Sequence, residues 1–211
     1  MDRTLEVRWF LEGPAPYALT DWMDTLNASA ESPRTDRYLV SHDGGMNVKL
    51  REGQVQTKRR LAGPTPLSFS DSVRGYQEHW VKWSFPMTED TEGTIDQLQH
   101  DPTGLWVPVY KERRQRFFAV EDYDTLLDAP LQTPTHSKVE LTTVQTGDHH
   151  AHTICIEAEG TEEALQDTLE AVGRALFHQA GAPALHPNAS FGYAKWLATL
   201  AAKNELPTDA L

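Results

Sequence analysis

The segment NVKLREGQVQTKRRL, at residues 47–61, contains two stretches in which charged and apolar side chains alternate. Successive side chains of a β-strand point to opposite faces of the sheet. In the first stretch Lys49 and Arg51 therefore share one face, while Val48 and Leu50 share the other. This alternation predicts a strand with one cationic and one apolar face.

A tight turn at residues 52–53 joins this strand to a second one, on which Lys58 and Arg60 share a face. A later segment repeats the pattern with Lys111 and Arg113. Like charges on neighbouring strands repel one another on a flat sheet. We therefore expect these side chains to line a concave space that holds an anion.

Strand-like segments recur along the chain and are separated by turn-forming residues. We predict eight strands, at Leu5–Leu11, Arg37–Ser41, Met46–Arg51, Gln54–Leu61, Glu78–Phe85, Trp106–Arg116, Lys138–Gln145 and His152–Glu159. Eight strands are enough to close a small barrel around an enclosed space.

Helical periodicity is concentrated near the C-terminus, where we predict helices over about residues 161–203. The first carries an apolar stripe, formed by Leu165, Leu169, Val172 and Leu176. A second helix is predicted from near Ser190, and short helices are predicted at Thr20–Asn27 and Glu121–Leu127. No domain boundary is visible, so residues 1–211 are predicted to form a single domain.

The composition argues against several classes of protein. The chain has 211 residues, with 31 acidic and 19 basic side chains and a net charge of -12. This acidity argues against nucleic acid as the main partner. No apolar run approaches the roughly 20 residues of a membrane span, and the first residues lack the apolar core of a signal peptide. We therefore expect no membrane partner and a cytoplasmic location, which the single cysteine, Cys155, also fits.

Carboxylates occupy other predicted strands. Glu157 and Glu159 share a face of the last strand, Glu140 lies on the strand before it, and Glu6 lies on the first. Hard cations bind carboxylate oxygens, and phosphates bind Arg and Lys, so opposed acidic and basic walls suit a phosphate chain bound with Mg²⁺ or Mn²⁺. A solvated sheet face with cross-strand ion pairs has the same spacing. The spacing alone leaves both interpretations open.

The order of the segments resembles the CYTH superfamily, also called the triphosphate tunnel metalloenzymes, from Leu5 to about Leu200. The matching segments, in chain order, are LEVRWFL, VKLREG, VQTKRRLAGP, VYKERRQRF, KVELTTV, ICIEAEG and GYAKWL. The resemblance implies an α+β fold in which an eight-stranded antiparallel β-barrel, or tunnel, carries a few flanking helices. It also implies metal-dependent hydrolysis of a small molecule that contains a triphosphate.

The resemblance implies a role for individual residues. The groups expected to bind the phosphates are Lys49, Arg51, Lys58, Arg60, Lys111 and Arg113. The carboxylates expected to act in catalysis are Glu140, Glu157 and Glu159, and these three together with Glu6 are the expected ligands of Mg²⁺ or Mn²⁺.

The first strand departs from the family's E-x-E-x-K signature, because its corresponding face carries Glu6, Arg8 and Phe10. A cation in place of a carboxylate removes a metal ligand and disfavours a metal nearby. The sequence therefore also predicts an alternative, a non-enzymatic protein that binds an organic or phosphorylated anion in the same barrel. In that case Arg8, Lys82 and nearby tryptophans would contact the ligand.

Overall fold

The computed structural model describes residues 2–41, 43–87, 105–121, 125–129, 133–203 and 205–206. Within these ranges the chain forms ten strands: β1 (Asp2–Glu12), β2 (Ser29–Ala30), β3 (Arg34–Leu39), β4 (Met46–Arg51), β5 (Gln54–Ser68), β6 (Arg74–Pro86), β7 (Trp106–Glu121), β8 (Thr125–Asp128), β9 (His136–Thr146) and β10 (His149–Glu159). The same ranges contain three α-helices: α1 (Tyr17–Thr25), α2 (Glu162–Phe177) and α3 (Tyr193–Ala202).

Eight of these strands close into a barrel. The order around it is β3, β4, β5, β6, β1, β10, β9 and β7, and β7 pairs with β3 to complete the circle. Every pairing is antiparallel. The short strands β2 and β8 each pair with β7 outside this circle. The predicted α+β fold with an eight-stranded antiparallel barrel is confirmed.

The register of β1 determines which side chains face the interior. Glu6 lies opposite Glu78 of β6 and opposite Glu157 of β10, so the three carboxylates form a row across three strands. Directly opposed residues of an antiparallel pair share a face. The alternation along β1 then places Arg8 on the interior face and Val7 on the exterior face.

The exterior face of this part of the barrel is covered by helix α2. Its apolar stripe, which was predicted from the sequence, is almost fully buried at Leu165, Leu169, Val172 and Leu176. It packs with Trp9 and other outward-facing residues of β1, β9 and β10 into the larger of two hydrophobic cores. This core lies outside the barrel.

Helix α3 forms the second core with the interior residues at one end of the barrel. Phe10 stacks between Phe191 and Trp196, with ring centroids 5.5 and 5.0 Å apart, respectively. Leu197 and Leu200 of α3 are buried in the same cluster. Phe10 therefore serves in packing.

One secondary-structure prediction was wrong. Residues 125–128 form strand β8 rather than part of a helix, because Leu126 and Leu127 pair with Val120 and Ala119 of β7. So short a segment carries too little periodicity to distinguish the two structures. The Asp-, Glu-, Thr- and Gly-rich composition of residues 86–104 predicts a long loop, and most of this segment lies outside the described residues.

The other helix predictions were close. Helix α1 covers Tyr17–Thr25, which shifts the predicted helix toward the N-terminus, and α3 begins at Tyr193. In the described part of the chain, no helix combines the length and apolar character needed to cross a membrane.

Replacing Gly173 of α2 by alanine is expected to destabilise the fold. The added Cβ would overlap the ring of Phe69, which packs directly on this glycine. Overpacking of this kind costs about 1–3 kcal/mol, and urea unfolding would measure the loss. The double variant Gly173→Ala/Phe69→Leu should recover part of it. Full stability of Gly173→Ala would contradict this packing.

Candidate functional site

A cavity with about 130 Å³ of space for water-sized molecules lies inside the barrel. Such a volume accommodates several water molecules or a small ligand. The cationic side chains of its wall come from seven strands, and they are Arg8, Arg34, Lys49, Arg51, Lys58, Lys82, Lys111, Arg113 and Lys138. The carboxylates of the wall are Glu6, Glu140, Glu157 and Glu159. Among the described residues the wall thus carries nine cations and four carboxylates.

The structure brings nearly all of the sequence-predicted site residues to this cavity. The eleven that line it are Glu6, Arg8, Lys49, Arg51, Lys58, Lys82, Lys111, Arg113, Glu140, Glu157 and Glu159. Their roles in binding or catalysis stay predictions. The remaining residue, Arg60, does not line the cavity. It donates hydrogen bonds to Glu78 at 2.5 Å and to the carbonyl of Gly44 at 3.4 Å.

The most cationic part of the wall surrounds Asp36, which is completely buried. Lys111 and Lys49 donate to one of its oxygens, with Nζ–Oδ2 distances of 2.9 and 3.3 Å. Nε of Arg34 lies 3.4 Å and Nε of Arg51 lies 4.0 Å from the other oxygen. Burial alone would raise the pKa of Asp36, but the ammonium groups of Lys111 and Lys49 hold it well below its usual range. This cluster, the Asp36 cluster, groups four cations around one carboxylate.

Lys111 is the most enclosed cation of the Asp36 cluster. Its ammonium group donates to the hydroxyl of Tyr38 at 2.5 Å and lies 4.0 Å from the ring centroid of Tyr193. Burial disfavours the charged form and is only partly offset by Asp36, so the pKa of Lys111 falls to about 8. The pKa of Lys49 is lowered as well, by burial and by the charge of Lys111. An additional negative charge would relieve both shifts.

On the other side of the cavity, Glu140 is held between two guanidinium groups. Arg8 Nη1 lies 3.1 Å from one of its oxygens, and Arg113 Nη1 lies 3.0 Å from the other. The hydroxyl of Thr142 donates to it at 3.0 Å. Burial alone would raise the pKa of Glu140, but Arg8 and Arg113 hold it well below its usual range. Both oxygens of this carboxylate are therefore engaged.

Glu6 and Glu157 are joined by one lysine. Lys58 Nζ lies 3.1 Å from Glu6 Oε2 and 2.9 Å from Glu157 Oε1. Lys138 Nζ lies 2.6 Å from the second oxygen of Glu157. Against the effect of burial, Lys138 and Lys58 hold the pKa of Glu157 well below its usual range. These contacts make the carboxylates counter-ions of lysines.

The carboxylates do not fit Mg²⁺ or Mn²⁺ in this arrangement. Hard cations need several carboxylate or carbonyl oxygens at one point, whereas oxygens of Glu6, Glu140 and Glu157 accept from ammonium or guanidinium groups. Glu159 lines the cavity without such a contact in the described part of the chain. No group of three or more His, Cys, Asp or Glu among the described residues could hold a metal ion.

Several site residues were not found from the sequence. Arg34, Asp36 and Tyr38 alternate along β3. Arg34 and Tyr38 line the cavity, and Asp36 accepts a hydrogen bond from Lys111 of the cavity wall. The predicted strand began only at residue 37, so this period-two signal was missed. Lys138 shares a face with Glu140 and was recoverable from the same alternation. Tyr193 reaches the cavity only because helix α3 packs there, and no local pattern indicates it.

Comparisons with known proteins do not assign this chain to a family, so its class is defined by its fold and its cavity. No protein family matches the chain, and no curated protein matches it. Among solved structures, the chain is similar to the PH1819 protein of Pyrococcus horikoshii OT3. The identity is 14%, the TM-score is 0.45, and the match covers 94% of this chain and 99% of the other. The protein described here is a closed antiparallel β-barrel with a charged interior cavity.

Glu140→Gln is expected to destabilise the protein strongly. The substitution leaves Arg8 and part of the charge of Arg113 without a counter-ion inside the barrel, and breaking one side of a buried pair costs about 3–5 kcal/mol. Chemical unfolding would measure the loss. The matched control is Glu162→Gln, because Glu162 pairs with Arg3 on the surface, where side-chain exposure is 44% and 41%. Equal effects of the two substitutions would contradict the role assigned to Glu140.

Proposed function

We propose that this protein binds a small phosphorylated or other organic anion inside its barrel and acts as a non-enzymatic binding protein. The observation that carries the proposal is the charge of the cavity wall, where nine cations outnumber four carboxylates. The cations remain in excess when Asp36 and Glu31, which both pair with Arg34, are added to the acids. A bound anion would compensate this excess in a site that is partly removed from water, where charge pairing is stronger.

The Asp36 cluster is the place where the anion is expected to bind. Lys49, Arg51 and Lys111 each contribute positive charge there, and Asp36 alone cannot balance them. Trp80 and Tyr193 also line the cavity and offer ring surface to an organic part of the ligand. The proposed ligand therefore carries at least two negative charges.

A divergent CYTH-like phosphohydrolase that uses Mg²⁺ or Mn²⁺ is the second candidate function. The closed barrel and the presence of Glu157 and Glu159 beside the cationic wall favour it. The ion pairs of Glu6, Glu140 and Glu157 favour the binding function instead, because they occupy the oxygens that a metal needs.

Isothermal titration calorimetry with tripolyphosphate and with citrate, in EDTA, tests the binding function. We expect binding to the wild type and a loss of about tenfold or more in affinity for Lys49→Met and Arg51→Met, since a hydrogen bond to a charged group contributes roughly 1.5–3 kcal/mol. Arg59→Met is the matched control, because Arg59 lies next to Lys58 on β5 but is exposed. No binding of either anion would overturn the proposal.

Phosphate release from tripolyphosphate in Mg²⁺ or Mn²⁺ separates the two candidate functions. The binding function predicts no release above that of the Glu157→Gln variant. Metal-dependent turnover that this substitution abolishes would establish the hydrolase instead.

Affinity for an anion of constant charge should fall as the pH rises from 7 to 9. The pKa of Lys111 is about 8, whereas an ordinary lysine keeps its charge to about pH 10. Raising the pH through 8 therefore removes one positive charge from the Asp36 cluster. Titration with sulfate would measure the change. Lys111→Arg keeps its charge over this range and should weaken the pH dependence, with the remainder coming from Lys49, whose pKa is lowered as well. An equal dependence in this variant would contradict the assignment.

A further inference from the structure

Lys58 occupies a position between two carboxylates from neighbouring strands. Glu6 of β1 and Glu157 of β10 are directly opposed in the sheet, and the ammonium group of Lys58 hydrogen-bonds to an oxygen of each. Both carboxylates are nearly buried, with side-chain exposures of 7% and 6%, whereas that of Lys58 is 28%. The cation therefore stands between the acidic wall and the open part of the cavity.

The ammonium group of a lysine has three N–H donors. Two of those of Lys58 are used by Glu6 and Glu157, and no third acceptor is present among the described residues. Because Lys58 lines the cavity, an anion bound there can accept the remaining hydrogen bond. The contacts with two carboxylates also keep the group charged, since they raise its pKa against the effect of burial.

We propose that Lys58 is a built-in bridging cation, which links Glu6 and Glu157 to the bound anion at the carboxylates that the sequence predicts as ligands of a divalent metal ion. The proposal rests on the anion-binding function stated above. It makes Lys58 a ligand-binding residue, and it makes Glu6 and Glu157 positioning residues that hold the ammonium group. Anion binding is then independent of divalent metal.

The neighbouring Lys82 provides a matched comparison. It lies directly opposite Lys58 in the pairing of β5 with β6 and lines the same cavity. Among the described residues, no ion pair involves Lys82. Removing it takes one positive charge from the cavity without freeing a carboxylate, whereas removing Lys58 frees oxygens of two carboxylates for a hard cation.

Binding of Mn²⁺ tests whether Lys58 takes the place of a metal ion. It is measured as the loss of the electron paramagnetic resonance signal of free Mn²⁺. We expect no binding to the wild type or to Lys82→Met, and binding of one ion to Lys58→Met. Lys138 still contacts Glu157, so Lys58→Met/Lys138→Met should bind Mn²⁺ more tightly. Adding Glu6→Gln to Lys58→Met should abolish binding.

Sulfate affinity, measured by calorimetry, tests the bridging role. The wild type should bind sulfate equally in EDTA and in Mn²⁺. Lys58→Met should bind at least tenfold more weakly in EDTA and should recover affinity when Mn²⁺ is added. Lys82→Met should show no such recovery.

The outcomes separate this proposal from the binding function. If the wild type binds Mn²⁺ at one site, or if folded Lys58→Met gains neither Mn²⁺ binding nor recovery, the bridging role is overturned while anion binding stands. If the wild type binds no anion, the function itself fails. Should Lys58→Met not fold, as judged by circular dichroism, the proposal is decided by the wild-type Mn²⁺ titration and by Lys58→Arg. This variant keeps the charge and should exclude Mn²⁺.

Discussion

Charge neutralisation inside a closed barrel is the constraint on which the rest of the structure depends. Ionised groups removed from water are costly unless they are paired and hydrogen-bonded. Three of the interior carboxylates are each paired with more than one cation. Asp36 is surrounded by four cations, Glu140 lies between two guanidinium groups, and Glu157 contacts two ammonium groups. Because the cations of the wall outnumber its carboxylates, this pairing leaves the interior with an excess of positive charge.

The two hydrophobic cores make this polar interior compatible with a stable fold. The larger core lies outside the barrel, between α2 and the outward-facing residues of β1, β9 and β10. The smaller core lies at one end of the interior, where Trp196 of α3 stacks on Phe10. Apolar burial is the main favourable term in folding. Its placement at these two locations allows the remaining interior to carry charge.

Three interior side chains are engaged within the protein at positions where the resemblance to tunnel metalloenzymes predicts other contacts. Arg8 stands where a carboxylate is expected, and it is paired with Glu140. Phe10 stands where a lysine is expected, and it packs against α3. Lys58 holds the oxygens of Glu6 and Glu157 that a metal would otherwise use. Each of these three side chains thus contacts other groups of the protein itself.

The sequence by itself determined which side chains share a face, because the period of two along a strand is a local property. It therefore predicted the barrel, the helix α2 and most of the charged residues that line the cavity. Only the tertiary structure decided which charges meet. Lys58 reaches Glu157 across 99 positions of the chain, and Lys111 reaches Asp36 across 75. Such partners are set by the order and register of strands that are distant in sequence. Hence the sequence indicated metal-ligand carboxylates, whereas the closed barrel shows carboxylates engaged by lysine and arginine.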